Sequence, residues 1–303
     1  MRARFLVVVL LMLSVAAGCA GGSVASGAAD GRIRVVTAFY PLQFLSRQIG
    51  GDTVTVTDLT KPGAEPHDVE LSPRQVGDIV DARLVVYLKG FQPAIDTAVA
   101  QEAKGRAFDV GSVVHRLPYD GSTGGEREAA AGNTDPHVWL DPVRYSTIAG
   151  VLGQRLAAAD PAHASGYTAR AAAVQARLAT LNTEYAQGLR GCVRHEIVTS
   201  HQAFGYLAER YGLTEVGITG ISPEAEPSPR RLAQIADQAR ATGTTTIFFE
   251  TLVSPKIAET LARAVGAKAA VLDPLEGLTA RGADYFSVMR DNLGALTLAL
   301  GCA

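Results

Sequence analysis

This 303-residue chain has no clustered stripe of Lys and Arg, and its 28 basic and 30 acidic residues nearly cancel to a net charge of −2. That balance excludes the electrostatic footprint of a nucleic-acid-binding surface. The apolar run at the amino terminus, Phe5 to Leu13, falls well short of the roughly 20 residues a transmembrane helix needs. Neither a His-Glu-x-x-His run nor a nucleophile elbow occurs, so two common signatures of a secreted hydrolase are missing. Cysteine is limited to three residues and tryptophan to one. Each therefore has to be explained individually.

The start of the chain explains one cysteine. Met1-Arg2-Ala3-Arg4, the short apolar run and the small residues Ala16-Ala17-Gly18 before Cys19 form a signal-peptide pattern over residues 1–18. Cleavage before Cys19 yields a lipoprotein, although Ala16 stands where a bacterial lipobox usually has Leu; the other reading is ordinary secretion with a chance Cys. Residues 19–31, nearly all Gly, Ala and Ser, read as a flexible tether behind the lipidated Cys19. Export to an oxidising compartment then makes Cys192 and Cys302 an even pair and a disulfide the expectation, with two buried thiols as the alternative.

The remaining residues alternate strand and helix signals. Ile33 to Thr37, Thr53 to Leu59 and Leu84 to Leu88 are rich in β-branched residues, and Ser72-Pro73 supplies a helix cap with Pro in the first turn. Glu196 to Thr199, Leu213 to Ile218, Thr245 to Phe249 and Ala269 to Leu272 repeat the pattern, with Ser228-Pro229 and Ser254-Pro255 as helix starts. Between the two sets, Ala162 to about Leu189 contains no Pro and reads as one long helix. The expected fold is α/β: two βα lobes with parallel-type sheets, residues 32–159 and 191–303, joined by one long rigid helix over 160–190. Residues Gly111 to Asn133 break the alternation and read as a surface loop.

Three histidines and one aspartate stand out by position. Two prolines bracket Asp135-Pro136-His137-Val138-Trp139-Leu140-Asp141-Pro142, restricting the backbone around His137 while the only Trp anchors the segment. His67 and His201 follow strands, and Asp273 comes directly after one. In open parallel sheets ligands bind beyond the carboxyl ends of the strands, where these residues are expected to gather. Three neutral imidazoles and a carboxylate suit a borderline-soft divalent ion, with tetrahedral zinc the first choice. His115, His163 and His195 have no such placement and read as solvated. Glu224 and Glu226 also read as solvated, with contact to a partner protein as the other reading. Glu250 reads as a helix-start carboxylate rather than an imidazole partner, and Asp68 and Asp141 as candidates for orienting imidazoles.

Four stretches carry a family resemblance: Glu65-Pro66-His67-Asp68-Val69-Glu70, the proline-bracketed segment above, Thr199-Ser200-His201-Gln202-Ala203-Phe204-Gly205-Tyr206-Leu207, and Val271-Leu272-Asp273-Pro274-Leu275. Over essentially all of residues 33–302 the chain resembles the cluster A-I solute-binding proteins of ABC importers for zinc and manganese, the ZnuA/TroA type. The resemblance implies a non-enzymatic, monomeric metal-binding lipoprotein anchored on the outer face of a bacterial cytoplasmic membrane. It also implies His67, His137, His201 and Asp273 as ligands of an ion held between the lobes, and delivery of that ion to a permease whose ATPase lies on the other side. Zinc-specialised members often carry a His-rich loop before the second ligand motif, which Gly111 to Thr134 lacks. Zinc is nevertheless preferred over manganese, because the third position is His201 where manganese binders tend to use Glu. Manganese or iron binding, adhesion with a structural metal, and zinc hydrolysis are the competing readings.

Overall fold

The computed structural model describes residues 31–119, 134–279 and 282–303. The signal sequence, Cys19, nearly all of the tether and most of the Gly-rich loop lie outside the described residues.

The first lobe is built from β1 (Ile33–Thr37), α1 (Tyr40–Gly50), β2 (Val54–Asp58), α2 (Pro73–Asp81), β3 (Leu84–Tyr87), α3 (Pro93–Glu102) and β4 (Ala107–Asp109). Its strands pair in parallel in the order β2-β1-β3-β4. β1 and β3 occupy the centre, and Val35, Val36, Val85 and Val86 are buried because helices cover both faces of a parallel sheet. The Ser72-Pro73 signal becomes a full capping box at α2: the Ser72 hydroxyl accepts from Gln75 N, and the Gln75 side chain accepts from Ser72 N.

α4 (Pro142–Ala159) and α5 (Ala164–Gly188) follow, packed along each other. At 25 residues α5 is about 37 Å long. It buries Tyr167, Ala171, Val174, Leu178, Leu181 and Tyr185, a single stripe at helical spacing. Both lobes are tied to it. Arg170 donates to Ile49 O and Gly50 O at the end of α1, and Tyr185 Oη donates to Met289 O at 2.6 Å in the last helix.

The second lobe comprises β5 (Glu196–Thr199), α6 (Gly205–Tyr211), β6 (Thr214–Gly217), α7 (Pro229–Thr242), β7 (Thr246–Phe249), α8 (Lys256–Val265), β8 (Lys268–Val271) and α9 (Tyr285–Leu300). Its order, β6-β5-β7-β8, repeats that of the first sheet, again all parallel. One hydrophobic core runs without a break from the first sheet through α4 and α5 to Phe204, Leu272, Leu275 and Phe286 of the second lobe. A separate small cluster, including Val198, Ile235, Ile247 and Leu261, joins the second sheet to α7 and α8. Cys192 and Cys302 are joined by a disulfide, fastening the end of the chain beside the start of this lobe.

Candidate metal centre

His201 lies two residues beyond β5, and Glu250 is the first residue beyond β7. These strands flank the point where the strand order of the second sheet reverses, the usual ligand position in such sheets. His67 projects from the long irregular segment between β2 and α2. His137 precedes a short 3-10 turn, Val138–Leu140, in the proline-bracketed strap.

The structure brings His67, His137, His201 and Glu276 together, with one possible donor atom from each lying within 4.8 Å of the others. Glu276 Oε1 is 3.1 Å from His67 Nε2, 2.9 Å from His137 Nε2 and 3.4 Å from His201 Nε2. The Nε2 atoms of His137 and His201 are 3.4 Å apart. Four donors at about 2.0–2.1 Å from one tetrahedral ion stand roughly 3.3–3.4 Å from one another, so these separations suit a zinc-sized tetrahedral site. Glu276 Oε2 is buried without a hydrogen-bond partner, leaving a second acceptor for a cation.

Asp273, expected as the fourth ligand, is elsewhere. Its Oδ1 accepts from Leu275 N at 2.7 Å and its Oδ2 from the Thr251 hydroxyl at 3.0 Å. The carboxylate that reaches the histidines comes three residues later. Leu275, fully buried, adopts a left-handed backbone with φ of 59° and turns Glu276 inward. A non-glycine residue held there is strained by the order of 1 kcal/mol. No periodicity announces such a turn; the only signal in the sequence is a second carboxylate within three residues of Asp273.

Two of the three imidazoles have a carboxylate behind them. Asp135 Oδ1 is 2.8 Å from both the backbone nitrogen and Nδ1 of His137. Glu250 Oε1 is 2.8 Å from His201 Nδ1 and also accepts from the Ser200 hydroxyl. The expectation that Glu250 is a helix-start group is therefore corrected: it fixes the orientation of His201 and leaves Nε2 facing the site. Asp141 orients no imidazole, since its carboxylate is taken up by Arg144, Arg210 and the backbone of Val143. Among the described residues no carboxylate is hydrogen-bonded to His67 Nδ1; its ring rests edge-on against Phe91, with centroids 4.6 Å apart. Glu65 instead accepts from the His67 backbone nitrogen. His115, His163 and His195 are exposed, as are Glu224 and Glu226.

Electrostatics follow from this nesting of charges. Burial alone would depress the His137 pKa, but Asp135 on one nitrogen and Glu276 on the other outweigh it and raise the value to about 9. His201 is likewise opposed by burial yet pushed well above the usual histidine range by Glu250 and Glu276. Burial wins at His67, which is lowered despite Glu276. Burial would raise Glu276, but the facing histidines hold it well below the usual carboxylate range. Glu65, buried and repelled by Glu276, rises to about 8.

Residues 35–299 match the family described as "Zinc-uptake complex component A periplasmic" (ZnuA). The chain is 36% identical over 290 residues to the zinc-binding protein AdcA of Streptococcus pyogenes, an alignment covering 89% of this chain and 56% of that protein. It therefore spans about half the length of the AdcA relatives. Identity to the high-affinity zinc uptake system protein ZnuA of Bacillus subtilis is 34% over 308 residues, covering 96% of this chain and 95% of that one. Among solved structures, the laminin binding protein Lmb of Streptococcus agalactiae, described as having adhesin and metal transporting activity, aligns with a TM-score of 0.80 at 34% identity, covering 88% of this chain and 99% of that one. Zinc(II)-bound AdcA from Streptococcus pneumoniae aligns with a TM-score of 0.76 at 35% identity, covering 89% and 58%. A family match over most of the chain, together with these identities, means that the chain belongs to the ZnuA family of zinc-uptake components.

Proposed function

We propose that this chain captures a single zinc ion with His67, His137, His201 and Glu276 and delivers it to the permease of an ABC importer. The observation that carries the reading is the set of tetrahedral-edge separations among four buried or nearly buried donors. Three imidazoles favour zinc over the harder manganese ion, which prefers six oxygen-rich positions. Four protein donors fill a tetrahedral shell and leave no position for the metal-bound water that a hydrolase needs. That supports capture rather than catalysis, in keeping with the naming of the Bacillus subtilis relative as an uptake protein. Titration of metal-free protein with zinc, in competition with a chelator, should show one tight, reversible site in a chain that stays folded when stripped. Unfolding on metal removal would assign the ion a structural role instead.

The chain is further proposed to be a lipoprotein held outside the cytoplasmic membrane through Cys19 and to act as a monomer. Support comes from the signal pattern and from a relative in Streptococcus pneumoniae named a zinc-binding lipoprotein. Cys19→Ala should move the protein from the membrane fraction to the soluble one with zinc binding retained; unchanged membrane retention would refute the anchor.

A further inference from the structure

Between the second and third histidines the two lobes are joined by charge. Asp141, at the carboxyl end of the His137 strap, is fully buried and accepts four hydrogen bonds. Its Oδ1 takes Val143 N and Arg210 Nε, both at 2.9 Å. Its Oδ2 takes an Arg144 guanidinium nitrogen at 2.6 Å and Arg210 at 2.8 Å. Arg210 comes from α6, the helix that follows His201 in the second lobe, so its two-pronged grip spans the lobes. Arg144 closes the circuit by donating to Glu209 on the same helix at 2.7 Å while its guanidinium lies over the Tyr206 ring. Two acids face two guanidinium groups, and Asp141 has no unfilled acceptor direction that lacks a donor.

The same strap is held to the second lobe by neutral bonds. Tyr206 Oη donates to Asp135 O, Trp139 Nε1 donates to Pro274 O, and Tyr285 Oη donates to Trp139 O, each at 2.7 Å. His137 thus sits midway along a segment fastened at both ends to the elements that carry His201 and Glu276. A small shift between strap and α6 would be passed to the separation of the two imidazoles, because each ring is held by a hydrogen bond to its carboxylate.

We infer that the Asp141–Arg210 pair is a positioning device for the metal site, locking α6 to the His137 strap so that His137 and His201 stay at the spacing one tetrahedral ion requires. The inference rests on the reading of the four-residue group as a metal site. Neither residue touches the ion; both act through the backbone.

The test compares the parent chain with Arg210→Met, which keeps the length of the side chain and removes the charge and both donors, and with Arg210→Lys, which restores charge without the two-pronged geometry. Zinc dissociation constants by chelator competition, zinc release rates by stopped flow, and the visible absorption of the cobalt(II)-loaded proteins are measured, with the melting temperature of each metal-free protein. Arg210→Met is expected to bind zinc roughly 10- to 100-fold more weakly, mainly through faster release, and to lose part of the cobalt band intensity that marks tetrahedral coordination. Arg210→Lys should recover only part of both. A lower melting temperature with unchanged zinc affinity, release rate and cobalt spectrum would overturn the inference and leave the pair a purely structural tie. If Arg210→Met does not fold, Arg210→Lys alone decides by the same readouts. Failure of the site reading is separable: in that case His137→Ala and Glu276→Gln would bind zinc like the parent.

Discussion

In the first lobe the site histidine, His67, hangs on an irregular segment beyond the edge strand β2, whereas in the second lobe His201 lies just beyond the central strand β5. His201 has Glu250 at its back from the neighbouring strand end, and the buried Glu276 faces it. Among the described residues His67 has no carboxylate at Nδ1, and it keeps about a tenth of its side chain exposed, against a hundredth or less for His137 and His201. Two sheets with the same strand order therefore deliver site histidines of different rigidity. The repeated topology decides where a ligand can stand, and the charges packed behind it decide how firmly it stands there. The strap that carries His137 belongs by sequence to the first lobe, but the hydrogen bonds of Asp135 and Trp139 tie it to the second.

The largest effect expected is on Glu276, the carboxylate the three rings share. Glu276→Ala should weaken zinc binding by roughly three orders of magnitude or more, since it removes a ligand and leaves facing cationic imidazoles without their counter-charge. Asp273→Ala should change affinity far less, because Asp273 serves Leu275 and Thr251. Equal losses from the two substitutions, read by chelator competition, would show that the donor set is misassigned.

Only the second lobe has a disulfide among the described residues, and its loss should separate the lobes in stability. Closing a loop across 110 residues contributes roughly 4 to 5 kcal/mol in the chain-entropy picture. Cys302→Ser should therefore lower the unfolding midpoint of the metal-free chain, with hydrogen exchange rising in β5 and α9 before β1 and β3. Uniform exchange throughout would mean that the continuous core makes the lobes unfold as one unit.

Carboxylate backing can be removed one ring at a time. Glu250→Gln and Asp135→Asn should each cost roughly 10- to 100-fold in zinc affinity, by loosening the imidazole and lowering its basicity. Wild-type affinity in either variant, by the same competition assay, would show that packing alone orients the ring.

The smallest effect expected is the dependence on pH. With His137 raised to about 9 and His201 raised well above the usual histidine range by Glu250 and Glu276, the metal-free chain holds protons on both that must leave on coordination. A raised histidine pKa adds stability that is fully present below the ordinary value near 6.5 and disappears as pH rises through about 9. The metal-free melting temperature should accordingly decline between pH 6.5 and 9 while apparent zinc affinity climbs over the same interval. Both curves lying flat above pH 7.5 would rule out protonated rings in the free site.

Much of this architecture was legible in the sequence, for identifiable reasons. β-branched runs, Ser-Pro helix starts and the Pro-free stretch before Gly188 mark elements whose causes are local, and they appear within a few residues of their expected bounds. Directly after His201 the chain bends, with Gln202 N donating to Gly220 O, and the next helix begins only at Gly205. The three histidines were found through strand ends and proline brackets. Glu276 goes unread in the sequence, and Glu250 and Asp141 are misread, for a common reason: their roles depend on contacts between segments dozens of residues apart. Glu276 depends besides on an unusual backbone angle at Leu275.

Trp139, the only tryptophan in the chain, is buried with its ring centroid 5.2 Å from that of His137. The protein therefore carries a single indole, sheltered from solvent and packed beside one histidine of the candidate site. A protonated imidazole at that distance accepts an electron from an excited indole and dims it, whereas a neutral, coordinated ring does so much less. Filling of the site is thus expected to appear as a brightening of intrinsic emission, proportional to occupancy and requiring no label.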